Sequence, residues 1–391
     1  MNNISIFPDT YSKIIMRFLT LILLFIFCSC NPIQKENYIV DKITLELSES
    51  ESKIKLSEII DSIVYIPLET NGQSLLGNID RIIGMENGNY LIVDKNLVSE
   101  VLVFDSVGHF LNKIGKKGSA PSEYVMIEDI AYYNQTAYIW DSSSRKILEY
   151  SLDGNWKNSY RFDYVAYSFS CINPNEFVFY CDYVPNNNLL KENKYPNYIK
   201  FNVKTGLIDS DLYFDKDVPS HAFLLSLNNL SNNLIYSTMN DTIYKVEGGL
   251  LKQKYVLNYK DKYKRNRENY LKDMSFSSSD ATNSDKCIFP QLITYFECNN
   301  MNLLFLRMGS TFYYVLYYPE TGVCREASST TNPIVNDIDE TAQFIIYYSK
   351  DNVLYSVMEP ELIIEKNPSL AKSLSLSYDD NLVLVKMFLK E

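Results

Sequence analysis

Histidine is nearly absent from this chain: its 391 residues include two, His109 and His221. A site built from several imidazoles is therefore out of reach, and a Ser-His-Asp triad would have to use one of this pair. Both read as loop positions, His109 in the turn that starts at Asp105 and His221 after Pro219-Ser220. Positive charge is also short. Lys plus Arg number 37 against 48 Asp plus Glu, a net charge of −11, which repels a phosphate backbone and excludes nucleic acid as a partner. Paired cysteines are missing too. Beyond Cys30 there are Cys171, Cys181, Cys287, Cys298 and Cys324, an odd number without a C-x-x-C pair, so no disulfide framework is expected. Cys171 and Cys181 flank the turn Asn173-Pro174-Asn175, but counting from that turn sets Cys171 opposite residue 178 or 179, out of register for a bridge. These thiols read as small buried hydrophobes. Alanine, the best helix former, is scarce, which argues against long helices.

What the chain has is aromatic surface: 32 Tyr and 20 Phe, the side chains that best fill a pleated, half-buried sheet. At the N terminus, Lys13 and Arg17 precede the ten-residue apolar run Phe18 to Phe27, which is followed by Cys28-Ser29-Cys30. A span needs about 20 apolar residues, whereas this run has the length of a signal-peptide core. Ser29-Cys30 fits a lipoprotein cleavage site, in which a small residue precedes a cysteine whose thiol receives a diacylglycerol. The expected organisation is a signal peptide over 1–29, an acylated Cys30 beginning a tether over 30–42, and one domain over 43–391. Cys28 is the alternative acylated residue, with bulky Phe27 against it, and Met16 is an alternative start to Met1. Acyl chains, at about 0.8 kcal/mol per buried methylene, would hold such a protein on a membrane.

Self-similarity identifies the fold. An aromatic residue ending a strand is followed four or five positions later by glycine at Phe104/Gly108, Tyr150/Gly154, Phe201/Gly206, Tyr244/Gly248 and Tyr318/Gly322. Each pair reads as a hairpin whose glycine takes positive φ. A short apolar strand precedes each hairpin, and six such strands are present, at 89–94, 136–141, 176–180, 233–236, 302–306 and 352–357. The glycines lie 46, 52, 42 and 74 residues apart. The first three intervals match a four-stranded propeller blade. The long one contains the polar stretch Lys260 to Ser284, read as an insertion with one short helix, so that Lys262 to Arg267 becomes a solvated helix face. The fold expected is all-β, a six-bladed β-propeller of four-stranded antiparallel blades. Ring closure removes exposed sheet edges, and the strand from Asn381 to Leu389 is the expected partner of Ile63 to Ile66 in sealing it.

The stretches Asp61 to Thr70, Ile79 to Ile83, the strand ending at Asp94, Val101 to Asp105, and Gly115 through Glu123-Tyr124 resemble the six-bladed β-propeller lipoproteins of Gram-negative gut bacteria, which are similar to NHL-repeat and TolB-like propellers. The likeness is specific over Ile59 to Asp141 and at the end, where a short helix around Pro368 to Ser373 precedes the Asn381 strand. The family's G-x-G-P-G-E-Y loop is represented by Gly118-Ser-Ala-Pro121-Ser-Glu123-Tyr124, with Ala120 and Ser122 in place of two glycines. The resemblance implies a propeller in the cell envelope, as an outer-membrane lipoprotein facing the periplasm or the surface. It carries over no catalytic residue and no cofactor.

For chemistry, three candidates arise. Lys116 and Lys117, with Glu123 and Tyr124, form a basic, glycine-containing loop that could hold an anionic ligand, although no Walker-type pattern is present. Asp94, Asp129, Asp141 and Asp182 lie at or beside strand ends, where a lactonase-like or lyase-like propeller would gather carboxylates around a metal; turn formation alone also favours Asp there. Runs such as Phe312 to Tyr318 could stack on sugar rings, but they are better explained as both faces of a strand packed between neighbouring blades. The reading is a binding or scaffold protein for a protein or glycan partner, with a metal-dependent hydrolase or lyase as the alternative.

Overall fold

Strands such as Tyr90–Asp94 and Thr136–Asp141 are buried along their whole length, which requires cover on both faces. Alternation of side chains supplies it. Tyr90 and Ile92 point into one apolar cluster and Leu91 and Val93 into another. In the next unit Ala137 and Ile139 share the second cluster, while Tyr138 and Trp140 face a third. Six clusters recur in this way, one between each pair of neighbouring sheets. The result is a six-bladed β-propeller. The structure, a computed structural model, describes residues 40–48, 50–217, 233–237, 240–272 and 288–390.

Blade 1 consists, from the axis outward, of Arg81–Gly84, Tyr90–Asp94, Glu100–Phe104 and Phe110–Lys113. Blade 2 follows with Asp129–Tyr133, Thr136–Asp141, Lys146–Ser151 and Trp156–Arg161. Blade 3 has Ser168–Asn173, Glu176–Tyr180, Lys194–Asn202 and Ile208–Asp215. Blade 5 has Gln291–Glu297, Asn302–Met308, Thr311–Tyr318 and Val323–Ser329. All five hairpin glycines adopt positive φ, between +58° at Gly248 and +97° at Gly108. Two of them also serve contact between blades: a Cβ on Gly108 would stand 2.1 Å from the Pro67 carbonyl oxygen, and one on Gly154 2.4 Å from that of Lys113.

Closure follows the expected pairing. Blade 6 takes Tyr348–Lys350, Val353–Met358 and Val383–Leu389 from the end of the chain and Ile60–Pro67 from its beginning, with Leu384 opposite Ile66 and Met387 opposite Ile63. The helices Pro360–Lys366 and Pro368–Ser373 precede the C-terminal strand. The insertion also carries its helix, Asp261–Lys272, pinned by Arg267 to the Tyr259 hydroxyl (2.8 Å) and Asp241 (3.1 Å).

Blade 4 departs from the expectation. Its described strands are Leu234–Ile235, Thr242–Glu247, Leu250–Asn258 and, outermost, Asp41–Thr44, which runs parallel to its neighbour. Asp41 and Lys42, read from sequence as the end of the tether, therefore already belong to a sheet. From there the chain laces outward surfaces together. Leu45 and Leu47 enter the core between blades 4 and 5, Ser52 bridges Ser328 on blade 5, and Ile54–Lys55 pairs with Ile334–Val335 before Ile60 reaches blade 6. Three blade edges are thus covered by one N-terminal segment. A second correction concerns Cys171, which lies opposite Phe177, because a register shift between Cys171 and Asn173 displaces the count from the turn. Cys171, Cys181, Cys298 and Cys324 are free thiols, and burial pushes Cys171 up to about 12. The signal peptide, Cys30, His221 and Cys287 lie outside the described residues. Among the described residues no helix is long and apolar enough to cross a membrane.

Because Leu384 is fully buried in the closing pair, Leu384→Ala should lower the unfolding free energy by about 2–5 kcal/mol. The exposed hairpin change Leu207→Ala should shift it by less than about 0.5 kcal/mol. Denaturant midpoints measure both.

Candidate functional site

The innermost strands surround the propeller axis, and each begins on the face formed by the loops that enter the blades. The residue just before each strand occupies an equivalent place: Asp80, Glu128, Tyr167 and Tyr347 donate their backbone N–H to Val93, Trp140, Tyr180 and Tyr355 of the adjacent strand at 2.8–3.0 Å. Two carboxylates and two tyrosines therefore rim this mouth. Asp80 is consumed by the backbone of Lys95 and Asn96. Glu128 accepts from the Ser142 hydroxyl at 2.9 Å, and burial still raises its carboxyl above the usual range. Asp182, in blade 3, is held at φ +48° with its Oδ1 buried and unpartnered among the described residues, and burial raises it to about 7. The phenol of Tyr167, raised first by burial, is raised further by the charges of Glu128 and Asp182.

Deeper along the axis, one ion pair joins three blades. Arg81 at the start of blade 1's inner strand pairs through Nη1 with Asp129 at the start of blade 2's. Asp129 Oδ2 in turn accepts the Phe169 backbone N–H of blade 3 at 2.9 Å, and Oδ1 also accepts from Ile130. Beside this pair lies an axial cavity of about 410 Å³, lined by Arg81, Tyr132, Tyr133, Ser170, Asn233 and Tyr348 among others. That volume falls in the range of small-molecule pockets. At the far end Lys350 donates to the Met85 carbonyl at 2.9 Å and Tyr132 to Glu86 at 2.5 Å. Ser170 donates to Asn233 Oδ1 at 2.6 Å, tying blade 3 to blade 4.

The residues singled out from sequence fall elsewhere. Lys116, Lys117, Glu123 and Tyr124 do share one loop, but their polar groups are largely spent on one another. Lys116 pairs with Glu123 at 2.9 Å, and Glu123 also accepts the Ala120 N–H at 3.0 Å, which together hold its carboxyl below the usual range. Tyr124 is buried, with its hydroxyl on the Ser99 carbonyl at 2.9 Å, and Lys117 reaches the Ser99 hydroxyl at 3.4 Å. The outward ammonium groups of Lys116 and Lys117 are what this loop offers to solvent.

Two of the four aspartates are turn caps. Asp94 accepts four backbone N–H groups, from Gly77, Asn78, Leu97 and Val98, and Asp141 accepts those of Val125 and Ser144. No group of three or more His, Cys, Asp or Glu side chains placed to hold a metal occurs among the described residues. His109 is exposed in its turn, 3.0 Å from Asp105. Arg81 was missed in sequence; its one signal is a cation at the head of the apolar strand Arg81–Gly84.

A family model described as a domain of unknown function, DUF4934, matches residues 40–388, and the chain belongs to that family. A comparison with the curated proteins finds no match. Among solved structures, a Bacteroides fragilis protein described as exported is similar at a TM-score of 0.66 and 17% identity, covering 89% of this chain and 99% of its own. A Bacteroides vulgatus member of the DUF4221 family aligns at a TM-score of 0.47 and 10% identity, over 87% of this chain and 99% of its own.

The raised Asp182 makes a prediction with a defined sign. The folded state holds this proton up to about pH 7, whereas the unfolded chain releases it near 4. Its ionisation therefore destabilises the fold progressively as pH rises from about 4 to about 7. Asp182→Asn should be more stable than the parent at pH 8 and should flatten the slope of stability against pH across that window, read by denaturant titration.

Proposed function

We propose that this member of the DUF4934 family is an exported lipoprotein, acylated at Cys30, that works as a binding or scaffold protein for a protein or glycan partner in the cell envelope, on the outer membrane. The observation that carries the reading is the distribution of polar groups. The carboxylates of Asp94, Asp129, Asp141 and Glu123 are spent inside the fold, while the axial cavity and the exposed Tyr167 ring at the mouth remain open to a ligand. A described histidine in an exposed turn and a ring of fixed backbone suit recognition better than proton transfer. Export is supported by the Bacteroides fragilis relative described in that way, and anchoring by the short apolar run and Ser29-Cys30.

Two experiments test this reading. Labelling cells with a radioactive fatty acid should mark the parent chain and not Cys30→Ala, and the variant should move to the soluble fraction; equal labelling of both would refute the anchor. The competing metal-dependent hydrolase or lyase is addressed with purified protein on an esterase and lactonase panel with and without chelator. We expect no chelator-sensitive turnover, and stoichiometric bound metal with turnover lost on chelation would replace the binding reading.

A further inference from the structure

We propose that the axial cavity beside Arg81 is a binding site for the carboxylate of a small hydroxylated acid. The inference deepens the binding-protein reading and rests on it. Its basis is an imbalance of donors and acceptors. A guanidinium carries five N–H groups in a planar fork. Of these, Arg81 uses Nη1 on Asp129, and Asp129 is its one hydrogen-bond partner among the described residues. The arginine side chain is 13% exposed and lines the cavity of about 410 Å³. An occupant of that cavity that accepts two parallel hydrogen bonds matches the fork.

The partner groups around the fork narrow the chemistry. Asp129 already balances part of the positive charge, and the nearby Lys350 ammonium is directed at the Met85 and Gly84 carbonyls. Glu86, which takes the Tyr132 hydroxyl at the far end, offsets Lys350 in turn, so the site favours a singly charged carboxylate over a phosphate dianion. The rest of the lining is uncharged, part apolar (Ile82, Ile83, Ile172) and part polar. Tyr133, Tyr348 and the Asn233 amide supply polar groups to this lining, while the Tyr132 hydroxyl donates to Glu86 and that of Ser170 to Asn233, which leaves both of these oxygens as acceptors for a ligand hydroxyl. Burial raises the Tyr348 phenol to about 12, with a hydrogen bond to the Gly84 backbone and, more weakly, Arg81 pulling the other way, so it stays protonated at neutral pH. Gly84 keeps that ring close: a Cβ there would lie 3.2 Å from Tyr348 Cε1.

The test uses the full chain and three probes: glucuronate, glucose and inorganic phosphate. Calorimetric titration should show one saturable site for glucuronate, with glucose and phosphate at least tenfold weaker. Arg81→Lys, which keeps the charge and loses the fork, should weaken glucuronate at least tenfold, and Tyr348→Phe a few-fold. Since Arg81 also ties blades together, a measurement on the unaltered protein accompanies the variants. Phenylglyoxal modification of Arg81, followed by peptide mapping, should slow at least fivefold under saturating glucuronate. Absence of saturable glucuronate binding, equal binding of glucose or phosphate, equal affinity in Arg81→Lys, or no protection of Arg81 would each overturn the proposal. If glucuronate fails while crosslinking in cells still captures a macromolecular partner, the binding-protein reading stands and this site falls alone.

Discussion

Every blade of this protein is apolar on both faces, and that constraint governs the rest. A sheet with two hydrophobic sides cannot end a stack, because its last face would meet water. Closing the stack into a ring gives each face a neighbour. The final interface, where Tyr355 and Leu384 of blade 6 meet Tyr90, Ile92 and Leu102 of blade 1, exists only because Ile60–Pro67 completes blade 6. The strands Ile60–Pro67 and Val383–Leu389, more than three hundred residues apart, are thus held together by the same burial that holds neighbouring blades.

Polar chemistry is arranged around that frame rather than within it. Buried carboxylates are used as backbone caps, as at Asp94, or as a joint between inner strands, as at Asp129. Trp140 illustrates the same economy in the core. Its ring meets Phe162 and Phe179 edge-on at 5.3 and 5.5 Å, while its indole N–H finds the Ala166 carbonyl at 2.9 Å. Among the described residues the buried side-chain atoms left without a partner are few: Ser168 Oγ, Asp182 Oδ1 and Asn352 Oδ1.

The fold was legible because its determinants are local. Aromatic-to-glycine hairpins recur with one geometry, and the Phe312 to Tyr318 run alternates between two blade interfaces as its pattern predicts, Tyr313 to one and Tyr314 to the other. The closing pair was legible for the same reason, as two apolar strands at the ends of the chain. The parallel addition of Asp41–Thr44 to blade 4 was not, since four residues with one buried side chain carry no period. The axial site was hidden for a different reason. It is assembled from single residues on separate blades; Asp129 stood out in the sequence as a strand-end carboxylate, but Arg81, Ser170 and Tyr348 look like ordinary strand residues until the ring brings them together. The Lys116 to Tyr124 loop attracted attention because its signal is contiguous, yet its groups are spent within the loop, as Glu123 on Lys116, or on Ser99, as Tyr124 and Lys117.

The N-terminal lacing has a consequence for how such a chain matures. Asp41–Thr44 must wait for Leu250–Asn258, and Ile60–Pro67 for Val383–Leu389, before either finds its sheet. Contacts so distant along the sequence form slowly. A polypeptide threaded through a membrane from its amino end would therefore emerge with its first strands unpaired, and would complete its ring only after the last segment had cleared the translocation channel.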